Sequence, residues 1–194
     1  MLFDKSYWQS RYDSDTTGWD IGGPSTPLKE YFDQLEDRSI SILIPGAGNA
    51  YEAEYLHQLG FPNVTVIDLA IAPLENLQKR APGFPEANLV QGDFFEHNGQ
   101  YDLIVEQTFF CALNPKLRPQ HAQHTSKLLK PGGKLVGLLF DDPLFTEHPP
   151  FGGNKAEYIP HFASYYDFMV FDRAHNSIPP RADRELFILF QKKG

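Results

Sequence analysis

Ser41 to Ile44 is a short apolar run that leads into Pro45-Gly46-Ala47-Gly48-Asn49-Ala50, and Tyr51 to Leu59 then reads as a helix stopped by Gly60. A strand, a glycine turn and a helix in that order commit the chain to an open α/β sheet with a crevice at the strand's end. The glycines let a ligand come close to the backbone, and the helix N-terminus directs N–H groups at anything anionic. Val64 to Ile67 is a second strand, and it ends at Asp68. A carboxylate at that place can accept both hydroxyls of a ribose.

The rest of the chain keeps alternating between the two patterns, which favours a mostly parallel sheet. Ala72 to Arg80 reads as a helix, Asn88 to Gln91 as a third strand and Tyr101 to Glu106 as a fourth. Pro115 to Leu129 is helical in pattern, and Pro131-Gly132-Gly133 turns the chain into a fifth strand, Lys134 to Phe140. Asp142 to Asn154, rich in Pro, Gly and Phe, reads as a loop before a short helix at Lys155 to Ala163. Two final strands, Asp167 to Asp172 and Glu185 to Gln191, have no long helix between them and are expected to pair antiparallel. Ahead of all this, residues 3–23 carry both tryptophans, Trp8 and Trp19, with Tyr7 and Tyr12, and end in Gly22-Gly23-Pro24. They are expected to form an aromatic helical arm.

Composition narrows the partners. With 194 residues the chain suits one domain. Its 25 acidic and 17 basic residues leave a net charge of −8, which repels phosphate backbones and anionic lipid, so neither nucleic acid nor membrane is an expected partner. The single cysteine rules out an internal disulfide. The start, Met-Leu-Phe-Asp-Lys-Ser, lacks the pattern of a secretory signal, and a cytoplasmic protein is expected. His121 and His124 lie three apart with no carboxylate at ligand spacing, so no metal is expected. No nucleophile–base pair stands out either.

Two cofactor classes use such a crevice. A dinucleotide fingerprint needs a third glycine, and Tyr51 occupies its place, which disfavours NAD. No Tyr-x-x-x-Lys pair occurs. A compact nucleoside such as S-adenosylmethionine needs no pyrophosphate room. It asks instead for a polar residue at the end of the third strand to read the adenine edge, and Asp93, beside Phe94, stands there.

Ile44-Pro45-Gly46-Ala47-Gly48, Val66-Ile67-Asp68, Gly92-Asp93-Phe94-Phe95, Tyr101-Asp102-Leu103-Ile104 and Leu128-Leu129-Lys130-Pro131-Gly132-Gly133 resemble, in sequence and order, the class I S-adenosylmethionine-dependent methyltransferases. Tyr7-Trp8, Tyr12 and Gly18-Trp19-Asp20 resemble the amino-terminal arm of the thiopurine S-methyltransferase family. Phe109-Phe110-Cys111-Ala112-Leu113-Asn114-Pro115 with Arg118-Pro119 is similar to the plant halide and thiocyanate (thiol) branch of that family, and His148-Pro149-Pro150-Phe151 is similar to a Pro-Pro-aromatic loop of both branches.

The resemblance implies a Rossmann-like sheet of seven strands, mostly parallel with an antiparallel last strand. It implies a single methyltransferase domain over residues 1–194, with residues 1–24 as an arm that closes over the cofactor. It implies S-adenosylmethionine as donor, S-adenosylhomocysteine as product, and a small soft acceptor: a thiol, hydrosulfide, thiocyanate or halide. An aromatic thiol of the thiopurine kind, or a module that binds the donor without catalysis, are the alternatives. Carried over residue by residue, the cofactor contacts are Trp8, Tyr12, Trp19, Gly46, Asp68, Asp93, Phe94, Glu106 and Phe151. Phe109, Phe110 and Arg118 are the expected acceptor contacts, and no side chain is assigned a catalytic step. Tyr12 stands where the plant branch has tryptophan, and Glu106 where it has aspartate; both keep chemical character. Cys111 is expected to be a small soft wall residue.

Overall fold

The computed structural model describes residues 3–194, so Met1 and Leu2, the start of the expected arm, lie outside the described residues. α1 (Lys5–Asp13) and α2 (Thr26–Asp33) precede the first strand, β1 (Ile42–Pro45). Then follow α3 (Tyr51–Gln58), β2 (Val64–Asp68), α4 (Ala72–Arg80), β3 (Leu89–Gln91) and β4 (Tyr101–Gln107). α5 (Arg118–Leu128), β5 (Leu129–Phe140), α6 (Lys155–Phe162), β6 (Tyr166–Arg173) and β7 (Glu185–Lys192) complete the order.

The seven strands form one sheet in the order β3-β2-β1-β4-β5-β7-β6. β1 pairs parallel with β2 on one side and β4 on the other, and β4 pairs parallel with β5. β7 alone runs against its neighbours β5 and β6. The strand order therefore reverses at β1, and the crevice predicted there opens outside the carboxyl ends of β1, β2 and β4.

Successive residues of a strand face opposite ways, and both faces of this sheet are covered. Ile42 and Ile44 of β1 pack with Leu28, Phe32, Leu56 and Leu74 on the α2–α3–α4 face. Leu43 packs with Ile104, Leu135, Ala122 and Phe162 on the α5–α6 face. This continuous burial explains why β1 reads as an unbroken apolar run rather than an alternating one.

Two boundaries differ from the sequence expectation. The helix expected from Pro115 is first a 3-10 turn at Pro115–Leu117, because the Asn114 side chain accepts the N–H of Lys116, and the α-helix begins at Arg118. β5 begins at Leu129, before the Pro131-Gly132-Gly133 turn, with a register shift between Tyr101 and Leu103 absorbing that turn within the strand. Among the described residues, no helix is long and apolar enough to cross a membrane.

Candidate active site

The floor of the crevice is the turn after β1. Gly46 and Gly48 both have φ near +56°, a conformation that suits glycine. A Cβ on Gly46 would overlap the Phe109 ring, and one on Gly48 would lie 3.3 Å from Trp19 Nε1. The turn is thus a cradle that a side chain would fill. Asp68, ending β2, faces the same space, and its Oδ1 accepts the Ala70 N–H at 2.8 Å. Burial pushes the Asp68 carboxyl up to about 7, against the opposing pull of nearby backbone N–H groups. Asp93 Oδ1 accepts the Phe95 N–H at 2.8 Å and so caps the short turn that seats Phe94.

The arm supplies the cover. Asp4 caps α1 by accepting the Tyr7 N–H at 3.0 Å. Trp8 meets Tyr7 and Trp19 edge to face, at centroid distances of 5.0 and 5.7 Å, and Tyr12 meets Trp19 at 5.7 Å. Burial raises the Tyr12 phenol, and the nearby Asp68 carboxylate adds to the shift. The arm is tied down from three directions. Gln9 Oε1 accepts the N–H groups of Ile71 and Ala72, at 3.1 and 3.3 Å, and so supplies the cap that α4 lacks. Arg181 donates to the Trp19 carbonyl at 2.8 Å while paired with Glu185 at 3.2 Å. Asn49 and Tyr51 donate to the Asp20 carboxylate. Tyr51, expected to crowd a pyrophosphate, in fact points away from the main cavity, with Arg80 over its ring at 4.6 Å.

Between floor and arm lies a cavity of about 1060 Å³. Trp8, Tyr12, Trp19, Gly46, Asp68, Asp93, Phe94 and Phe109 all line it. Cys111 lines it too, its Sγ donating to Thr108 O at 3.3 Å, and burial pushes this thiol up to about 12, so it stays protonated.

Four expected contacts do not line the cavity. The Glu106 carboxylate turns back on its own chain: Oε1 accepts the N–H groups of Phe109 and Phe110 at 2.9 and 2.8 Å, and Oε2 lies 3.5 Å from His121 Nε2. That grip holds the turn in which Thr108, a β-branched residue, sits at φ +58°. Phe110 is buried among the rings of His121, Tyr158 and Phe162. Phe151 is buried edge to face with Phe3, its N–H donating to Cys111 O at 2.7 Å. Arg118 is 4% exposed and donates to the carbonyls of Phe151 and Gly152. In their place the wall is built by Leu144, Phe145, His148, Pro149 and Pro150. The Pro-Pro-aromatic motif lies in this loop, and of the loop's two phenylalanines Phe145 lines the cavity while Phe151 does not. Nothing local in the sequence marks Gln9 or Arg181, whose partners lie far along the chain.

The sequence and the fold match known proteins. The thiopurine S-methyltransferase family profile matches residues 3–186. The probable thiol methyltransferase 2 of Arabidopsis thaliana is 31% identical over 156 residues, 78% of this chain and 69% of that protein. Thiocyanate methyltransferase 1 of Brassica oleracea is 29% identical over 157 residues, 74% of this chain and 66% of that protein. The thiopurine S-methyltransferase of Acinetobacter baylyi is 26% identical over 187 residues, 84% of this chain and 86% of that protein. The chain thus spans about two thirds of each plant relative and most of the bacterial one. Among solved structures, the 1,6-didemethyltoxoflavin-N1-methyltransferase of Burkholderia thailandensis, crystallised with S-adenosylhomocysteine, superposes with a TM-score of 0.78 at 18% identity, over 98% of this chain and 87% of that one. The glycine cradle, the carboxylate beside it and the ring-lined cover fit S-adenosylmethionine, and with the match over residues 3–186 the chain belongs to the thiopurine S-methyltransferase family of S-adenosylmethionine-dependent methyltransferases.

Proposed function

We propose that this enzyme methylates a small soft nucleophile: a thiol, hydrosulfide, thiocyanate or halide. The observation that carries the reading is a glycine-floored, ring-walled cavity in which the carboxylates are spent on binding and the one thiol is held protonated. Bound S-adenosylmethionine supplies an electrophilic methyl group together with its own leaving group. Asp68 accepts the ribose hydroxyls, Asp93 and Phe94 hold the adenine end, and Gly46 and Gly48 let the donor lie against the backbone. Trp8, Tyr12 and Trp19 close over it, so that residues 1–24 serve as the lid of a one-domain enzyme. Their rings and Phe109 attract the positive sulfur, at about 0.5–2 kcal/mol for a good contact. The same rings exclude water from the acceptor, because a hydrated anion attacks slowly. Glu106, Phe110 and Phe151 contribute by fixing backbone rather than by touching the reactants.

An acceptor that arrives ionised needs no general base. His148, the imidazole on this wall, is exposed and lies tilted against Phe145 at a centroid distance of 4.2 Å. The relatives, which are thiol, thiocyanate and thiopurine methyltransferases by name, support the same acceptor chemistry. The cavity volume favours a second reading, an aromatic thiol, because about 300–1,000 Å³ is usual for small-molecule sites and this one reaches the top of that range. A single cysteine and an acidic surface suit the reducing cytoplasm, where we place the protein.

The test is incubation with donor and each of hydrosulfide, thiocyanate, iodide and an aromatic thiol, reading S-adenosylhomocysteine release. Turnover of at least one soft nucleophile, with none on phenols or amines, is expected. Silence with all four, beside tight binding of S-adenosylhomocysteine, would leave a donor-binding module without catalysis.

A further inference from the structure

Arg118 is buried to 4% exposure, yet its partners are carbonyls and rings rather than a carboxylate. Nη2 donates to Gly152 O at 2.9 Å and to Phe151 O at 3.2 Å. The guanidinium carbon lies 4.9 Å from the Phe110 ring centroid and 5.4 Å from that of Tyr158. Nε is buried without a partner. A buried cation is costly unless something repays its lost hydration. Here two consecutive carbonyls and two ring faces do so, an arrangement that suits a planar guanidinium and not an ammonium.

Those carbonyls belong to the loop that walls the acceptor side. The loop closes on itself: Asp142 and Gly153 exchange backbone hydrogen bonds at 3.0 and 3.1 Å, and Phe145 N–H donates to Pro150 O at 3.2 Å. Its returning limb is fixed to the protein by Phe151 N–H on Cys111 O at 2.7 Å. Tyr158, which meets Phe110 edge to face at 5.3 Å, donates to Phe140 O at 2.8 Å, where the loop leaves the sheet. Remove the arginine and two carbonyls lose their donor, while the packed ring slot beneath them empties.

We propose that Arg118 is a positioning residue: it holds Phe151 and Gly152 so that Leu144, Phe145 and Pro150 keep the acceptor wall in place, and it sets which acceptors fit without touching them. The proposal rests on the methyl-transfer reading for its kinetic arm only.

Arg118→Met and Arg118→Lys, made in the full chain, separate this from a direct anion contact. Hydrogen exchange on the empty protein is the first readout. Exchange at Phe145, Gly152 and Gly153 is expected to quicken at least tenfold in R118M and in R118K, while the amides of β1 and β2 keep their rates. The second readout is S-adenosylhomocysteine affinity, expected to stay within about threefold. The third is acceptor selectivity: KM for an aromatic thiol rises about tenfold or more, with KM for hydrosulfide nearly unchanged and kcat falling by less than the aromatic-thiol KM rises.

Gly152→Ala perturbs the loop with Arg118 intact, since a Cβ there would overlap Leu144 N and Asp142 O. It is expected to reproduce the selectivity change, and it carries the test should R118M fail to fold. Unchanged loop exchange in both arginine variants overturns the proposal. So does an equal rise in KM for all anionic acceptors that lysine restores, which is the mark of direct contact. So does a G152A protein whose acceptor preference is unaltered. Should the wild type turn over no acceptor at all, the methyl-transfer reading fails, and the exchange rates still decide the role of Arg118.

Discussion

At the end of β2 the Asp68 carboxylate faces the cavity with one backbone N–H within bonding distance of its side chain, whereas at the end of β4 the Glu106 carboxylate turns away and takes two, with an imidazole beside it. Both are acids at the carboxyl ends of neighbouring parts of one parallel sheet, where ligands of such folds bind. Asp68 is left short of partners and its carboxyl is pushed up to about 7 by burial. Glu106 Oε1 is taken up by the turn that carries Phe109 and Phe110, while Oε2 is buried beside His121 with no hydrogen-bond partner. The acid that faces the cavity is placed to serve a ligand; the one folded back on its own chain serves the scaffold. The floor, made by regular strands and a glycine turn, can leave its polar group free, while the wall is made by irregular loops and needs Glu106 and Arg118 as internal anchors.

The comparison breaks first at Glu106. Glu106→Ala leaves the N–H groups of Phe109 and Phe110 without their acceptor and removes the carboxylate beside His121, and a buried donor left unsatisfied costs about 1–3 kcal/mol each. Urea denaturation is expected to show that loss, with Glu106→Gln losing about 1–3 kcal/mol because its amide oxygen still accepts. Donor affinity measured on the folded E106Q protein should change little. A large loss of donor affinity at unchanged stability would mean that Glu106 serves the ligand after all.

Asp68→Ala should invert that pattern. Two hydrogen bonds to a charged group, at about 1.5–3 kcal/mol each, are lost, so calorimetry with S-adenosylhomocysteine should show a fall of about a hundredfold or more. Stability of the empty protein at pH 8 should hold or rise, because a buried and poorly partnered charge has gone.

The two acids were not equally legible in the sequence. Gly46, Gly48, Asp68 and Asp93 follow from a local pattern of strand, turn and strand, in which position along the chain fixes position in space. Glu106 stands at an equivalent strand end, where the resemblance implies a cofactor contact. What the sequence could not show is that the next two N–H groups would turn back onto it. That depends on Thr108 adopting φ +58°, and no residue type there announces it. The carbonyl partners of Arg118 were not legible for a related reason: they lie 33 and 34 positions away, and any residue can offer a carbonyl. The alternation of helices and strands and the antiparallel end were legible because period and loop length carry them. The long β5 was not, since a Pro-Gly-Gly turn inside one strand looks like a break.

The raised carboxyl of Asp68 sharpens the contrast through pH. In the empty fold it keeps its proton up to about 7, while in the unfolded chain it loses it near its model-peptide value of 3.8. The folded state therefore binds more protons in that window, and the stability Asp68 contributes declines as pH rises through it, reaching its lowest level above about 7. Donor binding runs the other way, because the ionised form is the better acceptor of two hydroxyls. Affinity for S-adenosylhomocysteine should be constant above pH 7.5 and fall by up to about tenfold per pH unit below 7. Asp68→Asn should bind weakly and without that slope; a wild-type affinity that is flat from pH 8 to pH 6 would show that Asp68 is already ionised when the donor arrives.

The smallest effect is expected where the arm meets the floor side. α4 begins with Ile71 and Ala72 and has no cap of its own, so the Gln9 side chain is both the arm's tether and the helix's cap. Loss of a side-chain cap costs about 1 kcal/mol. α1 buries no residue completely, so it has little else to hold it beyond the Trp8–Trp19–Tyr12 ring contacts and Arg181 on Trp19 O. Gln9→Ala should therefore loosen the arm without unfolding the sheet. Limited proteolysis within residues 5–20 should quicken about fivefold, tryptophan emission from Trp8 and Trp19 should shift toward that of solvated indole, and urea denaturation read by the sheet should move by no more than about 1 kcal/mol. Added S-adenosylhomocysteine should restore protection in Q9A, because a donor held under the rings gives the arm a second reason to stay. If protection does not return, the arm closes on the protein alone and is a fixed wall, and the distinction between a mobile cover and an anchored wall loses its mobile half.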